Sequence, residues 1–264
     1  METSREQYVD RDEWPLPDST AATGIIITTV SFLFFQIAAF IVDRCLKTSS
    51  SFLNNPKLHW RWKNVFISLT HAAIVSVCCL ICFCLTPKLT ADMISTHTPL
   101  SHGTVALSAG YFLHDIVDMV VNDWSRKSLE LLIHHVVILI AFSFPVLTYK
   151  SVGYMLVALL VEINSIFLHF RQLLTIHKVD KKSSLYRLTS LLNLGTFIIF
   201  RIAALCWMTR WIVINKAQVP FFFYVLANIG LTTTTVMNII LFYRCLKSDF
   251  ICHANTSTTN VKLE

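Results

Sequence analysis

Two adjacent histidines, His134 and His135, sit in the apolar run LLIHHVVILIAF, where a membrane span has little use for imidazoles. An imidazole can take a proton from a hydroxyl or amine, or carry an acyl group itself, when a carboxylate orients it. Carboxylates are close by. Glu130 lies one helical turn before His134 on the same face. In the preceding run, YFLHDIVDMVVN, Tyr111, His114, Asp115, Asp118 and Asn122 recur at three- and four-residue steps and so share a face. A third run, Val161 to Leu174, puts Glu162, Ser165 and His169 on one face and Asn164 and Arg171 on a neighbouring one. A fourth adds Asn193, Thr196 and Arg201.

A charge at the centre of a bilayer costs at least ~2.5–3.5 kcal/mol on insertion scales, so such groups face a protein interior or a wet cavity. A buried Glu162 must find a partner, a histidine of the pair or Arg201, or take up a proton. The catalytic candidates are His134, His135 and Glu162. The pocket candidates are Tyr111, His114, Asp115, Asp118, Asn164, Ser165, His169, Arg171 and Arg201. The alternative is that these groups only hydrogen-bond helices together. Neighbouring helical residues point about 100° apart. One histidine of the pair is therefore expected to face the polar interior, and the other a neighbouring helix or the lipid boundary.

The elements that must position these groups are membrane helices. At 54% hydrophobic and 14% charged residues, with apolar runs long enough to cross about 30 Å of hydrocarbon, the chain is not a soluble domain. The expected fold is all-α, a polytopic transmembrane bundle. Seven spans are predicted: 24–42, 65–85, 105–121, 131–147, 153–174, 188–208 and 221–243. Pro145 is expected to kink or end the fourth. The third and fourth are the shortest, about 17 residues each by these bounds.

Fourteen of the 22 Lys and Arg residues fall in connections on one side, from Arg44, Lys57, Arg61 and Lys63 to Arg244 and Lys247, and six on the other. Positive residues collect in the cytosol, which predicts an outside or lumenal N-terminus and a cytosolic C-terminus. The acidic first 23 residues lack the basic start of a signal peptide, so the first span is expected to be retained. The net charge of +6 is thus read as topology, not nucleic-acid binding. In LHWRWKN the residues Trp60, Arg61, Trp62 and Lys63 mix aromatics with cations as a headgroup-interface anchor does. The eight cysteines suggest packed thiols and no disulfide framework; Cys45, Cys245 and Cys252, just beyond spans, are candidates for palmitoylation. No metal-ligand spacing, phosphate loop or repeat is evident, so no metal or cofactor is expected.

The order of these features resembles the TLC (TRAM–LAG1–CLN8) domain family: RWKN before a helix bearing His71, then HDIVD, LLIHH and VEINSIFLHFR. The likeness is greatest to the small members of that family and covers roughly residues 56–250. It implies a polar N-terminal tail at 1–23, a first helix and basic loop at 24–55, the TLC domain at 56–250 and a polar tail at 251–264. Ceramide synthases of this family transfer an acyl group from acyl-CoA to a sphingoid amine, using a histidine pair followed one helix later by an acidic pair. His134 and His135 match the histidine pair and Glu162 the first acid, but Ser165 replaces the second. HDIVD precedes the pair here and is not that motif. The small members are regarded as regulators of phospholipid acyl composition and membrane fluidity, and are placed by likeness in the plasma membrane, with the endoplasmic reticulum as the alternative. The expected partners are membrane phospholipids or fatty acyl chains. Acyl-CoA enters only as a co-substrate if the chain is an enzyme of the acyltransferase type. A transporter or receptor is the third possibility.

Overall fold

A computed structural model describes residues 18–49 and 55–251. The described chain is helical: α1 (Asp18–Ser49), α2 (Pro56–Leu85), the short α3 (Lys88–Ala91), α4 (Pro99–Asn122), α5 (Arg126–Thr148), α6 (Val152–Leu159), α7 (Val161–Ile176), α8 (Ser184–Phe197), α9 (Ala204–Ile214) and α10 (Phe221–Leu246). Helices α6 and α7 are offset at Leu160 and form one span. A π-helical stretch, Ile198–Ala203, joins α8 to α9 in another. Seven helical segments are long and apolar enough to cross a membrane, as predicted.

Several helices are longer than their apolar runs because polar residues start them. The Asn55 side chain accepts from the Lys57 and Leu58 amides ahead of Pro56, and Thr98 and Ser101 form a reciprocal cap around Pro99. These caps satisfy amides that a helix start leaves unpaired, with proline where no donor is needed. The third and fourth spans accordingly run to 24 and 21 residues. Pro145 lies inside α5, and the helix ends three residues later with Tyr149 in the left-handed region (φ 59°).

Helix α4 touches α1, α2, α5 and α6 and is the centre of the bundle. Helix α1 rests on it closely: the Thr28 and Ser31 hydroxyls donate to the Ala106 and Leu107 carbonyls at 3.3 and 2.6 Å. Gly110 makes this approach possible, because a Cβ there would overlap the Thr28 carbonyl and the Ser31 side chain. Small residues serve this purpose wherever membrane helices meet. The outer faces present Ile25, Leu33, Ile37, Leu188, Ile199 and Ile239 to their surroundings.

The two ends of the bundle differ. At one end the basic connections converge: His59 meets Asp43 at 2.7 Å, Trp62 donates to His177 at 2.9 Å, and Arg244 pairs with Glu130 at 2.9 Å. At the other end the interior is filled by Leu89, Met93, Val152, Tyr154, Ile212 and Phe223, all buried. Gly153 fits directly beneath the 89–93 segment, its position 2.9 Å from the Leu89 carbonyl if a Cβ were added. The seven described cysteines are free. Cys245 is buried inside α10 and Cys45 is exposed, while the third palmitoylation candidate, Cys252, lies outside the described residues, as do the tails.

Candidate functional site

Between these ends lies a cavity of about 530 Å³ lined by α2, α4, α5, α6, α7, α9, α10 and the π-helical turn. Its size falls within the roughly 300–1,000 Å³ of small-molecule sites. Trp60, Arg61, Ser125 and Arg244 border it at the basic end, and Phe142, Tyr154, Met155 and Met208 line its apolar depth. A polar belt crosses between them.

The belt starts from α4. Asp115, 2% exposed, holds two neighbours: its Oδ2 lies 2.8 Å from His135 Nδ1 of α5, and its Oδ1 accepts from the Asn64 amide of α2 at 2.7 Å. One turn on, Asp118 accepts from the Trp60 indole at 2.7 Å and pairs with Lys63 at 3.2 Å. Trp60 and Lys63 are therefore held against α4, because a carboxylate among helices needs donors of this kind. Trp62 stacks on Phe66. Tyr111 donates to Ser68 at 2.8 Å and lies flat on His71, ring centroids 3.8 Å apart.

On the far wall the π-helical turn carries Arg201. Its guanidinium donates to Asn164 (2.6 Å) and Ser165 (2.7 Å) of α7 and to Asn238 (2.8 Å) of α10. Asn164 is held in turn by its own amide, which donates to the Asn193 carbonyl at 2.8 Å and the Thr196 hydroxyl at 2.9 Å. Glu162 lines the cavity beside Ser165 and within electrostatic reach of Arg201 and His135. His134 and His169 also line it, each with a buried Nδ1 that has no hydrogen-bond partner; His135 Nδ1 makes no hydrogen bond either, its 2.8 Å approach to Asp115 being a charge contact. At the turn between α4 and α5, the Ser128 and Ser125 hydroxyls donate to Asp123 at 2.5 and 2.9 Å, which holds that carboxyl below the ordinary aspartate range.

The sequence candidates are thus divided. Tyr111, Asp115, His134, His135, Glu162, Ser165, His169 and Arg201 line one cavity. The two histidines do not split between interior and boundary as expected: both rings border the cavity, their centroids 5.6 Å apart. Asn164 and Asp118 stand behind the lining as hydrogen-bond partners. His114 packs among Phe35 and Tyr111 instead. Arg171 turns away and pairs with Asp249, which also takes the Tyr186 and Ser190 hydroxyls. Glu130 is committed to Arg244 at the rim, not to the histidine pair.

Asn64, Ser68, His71 and Asn238 were not among the site candidates, although RWKN and His71 carried the family likeness. The first three recur at four- and three-residue steps on α2, a stripe open to the same reading as the α4 stripe. Asn238 follows a threonine run and gives no such signal. Among the described residues no cluster of His, Cys, Asp and Glu could hold a metal ion.

Comparison with known proteins locates this architecture. The TLC domain matches residues 61–247, a stretch holding every cavity-lining residue except Trp60. TLC domain-containing protein 2 of Danio rerio is 48% identical over 192 residues, covering 73% of this chain and 78% of its own. The human protein of that name is 36% identical over 231 residues, 88% of this chain and 86% of its own. TLC domain-containing protein 1 of Mus musculus is 33% identical over 196 residues, with coverage of 74% and 78%. No solved structure matches.

Proposed function

The chain belongs to the TLC domain family, and from that premise we propose that it holds an acyl lipid in its interior cavity and so governs which acyl chains enter membrane phospholipids. The observation that carries this reading is the graded cavity: a charged rim of Arg61, Asp123 and the Arg244–Glu130 pair, a belt of ionisable groups, and an apolar depth formed by Phe142, Met155 and Met208. A lipid has the same order of parts, polar head, acyl linkage and hydrocarbon. The partners are membrane phospholipids or fatty acyl chains. The basic end faces the cytosol in this reading, and the plasma membrane is the proposed location, with the endoplasmic reticulum as the alternative.

A second reading, acyl transfer from acyl-CoA, rests on the 2.8 Å contact between His135 and Asp115. The Asp115 carboxylate beside the ring would stabilise the imidazolium that forms when His135 accepts a proton. Attack by a lysophospholipid hydroxyl or an amine on the thioester would form the new ester or amide bond and break the carbon–sulfur bond. His135 would take the nucleophile's proton and pass it to the departing thiolate. Binding and catalysis separate on one measurement, the phospholipid acyl profile of cells per molecule of membrane-inserted protein. A binding role survives His135→Gln in large part, whereas a catalytic one loses a factor of ~10²–10⁴. A profile that does not differ between cells with and without the wild-type protein removes both readings.

A further inference from the structure

Arg201 carries five N–H donors. Three are directed at protein acceptors: Nε at Asn164, one on Nη1 at Asn238 and one on Nη2 at Ser165. The two that remain belong to a group in the cavity wall. Asn238, 6% exposed, lines the same wall; its oxygen accepts from Arg201, but its own amide nitrogen is buried without a partner. A buried donor left unmade is costly, and native interiors avoid it unless something else accepts the bond. Two spare guanidinium protons and an unmade amide donor thus belong to hydrogen-bonded neighbours on one wall of the cavity. Arg201 has no ion-pair partner within 4 Å among the described residues. Its charge stands opposite Glu162, and Asp115 faces His135, so the belt offers balanced charge rather than a bare cation.

Position then selects the acceptor. Arg201 lies near the middle of the Ser184–Ile214 span, while the cavity rim is marked by Arg61 and Arg244 at the basic end. A phosphate headgroup belongs at that rim, with its counter-charges and water. The group that follows the headgroup inward is the acyl linkage, whose carbonyl oxygen is an uncharged acceptor with two lone pairs and no donor. Beyond it, toward Leu205, Met208 and Ala227, the wall is apolar, as a hydrocarbon tail needs. We propose that Arg201 and the Asn238 amide form a recognition site for the carbonyl oxygen of an acyl linkage, so that the ligand is an ester- or thioester-linked acyl lipid and not an ether or a hydrocarbon. The inference rests on the reading that the cavity holds an acyl lipid.

The test compares two probes that differ by that oxygen alone: 1-oleoyl-lysophosphatidylcholine and its 1-O-octadecenyl ether analogue. Each is titrated into the full-length protein in nanodiscs. The wild type is expected to bind the ester at least about tenfold more tightly, the size of one hydrogen bond from a charged donor. Asn238→Asp keeps an acceptor for Arg201 and so retains the fold, but it removes the free amide protons and ties the guanidinium in an ion pair. It is expected to lower the ester-to-ether affinity ratio severalfold, whatever it does to the affinity for the cavity as a whole. Equal binding of ester and ether by the wild type overturns the carbonyl site while leaving the lipid cavity standing. Binding of neither probe overturns both. An Asn238→Asp variant that folds to the wild-type melting temperature and still prefers the ester by the wild-type ratio also overturns the site.

Discussion

Asp115 reaches His135 across the interface of α4 and α5, Oδ2 to Nδ1 at 2.8 Å, while its other oxygen takes the Asn64 amide at 2.7 Å. One carboxylate therefore ties three helices together and orients the imidazole at the cavity wall. Asp115→Asn keeps an acceptor for one neighbour, whereas Asp115→Leu takes the acid from beside the His135 ring and leaves the Asn64 amide only its longer 3.4 Å contact with Asp118, at about 1–3 kcal/mol for a poorly satisfied buried donor. The leucine variant is expected to melt lower in detergent than the asparagine variant. Identical melting temperatures would show that Asp115 does not hold the helices.

The histidine pair is tested one residue at a time. His135→Gln removes the ring that lies 2.8 Å from Asp115; His134→Gln removes a ring with no ion pair among the described residues. Under the catalytic reading the first variant loses the lipid phenotype and the second retains more of it, both with normal abundance. The measure is the acyl profile per inserted molecule. Near-normal profiles for both leave lipid binding as the role.

Gly110 and Gly195 make a matched pair. A side chain at Gly110 collides with the backbone of α1, and one at Gly195 meets nothing within 4 Å. Gly110→Val is expected to detach α1 from α4 and lower the yield of folded protein sharply. Gly195→Ala is expected to be neutral or to stabilise the helix by up to ~1 kcal/mol. Comparable thermal stability of the two variants in detergent would contradict the close packing of α1.

Arg171 and Asp249 form a buried ion pair, their side chains 10% and 5% exposed, that ties the π-helical turn after α10, Lys247–Ile251, to α7 and α8. Removing one member of such a pair costs about 3–5 kcal/mol because the other is left charged and unpaired. Arg171→Gln and Asp249→Asn should each destabilise strongly, and the double variant by clearly less than their sum. Strict additivity in detergent melts would mean that the two do not act together.

Topology has its own readout. With a cytosolic basic end, the Asn255-Thr256-Ser257 sequon stays unmodified, while a sequon placed in the 92–98 loop at the opposite end is glycosylated in microsomes. A glycosidase-sensitive shift that depends on Asn255 would reverse the orientation.

The seven helices were legible because hydropathy alone reports what water rejects. Their polar starts were not, since Asn55 and Thr98 act through caps that a hydropathy reading passes over. Within a helix, spacing grouped Glu162, Ser165 and His169 correctly, and all three line the cavity. Spacing says nothing about partners on other helices. Arg171 was grouped with Asn164, yet its partner is 78 residues away; Trp60 and Lys63 looked like lipid anchors, yet Asp118 holds them from more than fifty residues on. Face-sharing is local and pairing is global, so the lining was readable and the contacts behind it were not.

The packed floor of Leu89, Met93, Tyr154 and Phe223 has a kinetic consequence. If the cavity holds an acyl lipid, a chamber filled at that end would admit and release its occupant at the basic end alone. Two lipids would then not follow one another through; each would exclude the next until it departed. Different lipids would therefore compete for one berth, and occupancy would follow their relative abundance in that leaflet rather than any flux between the two.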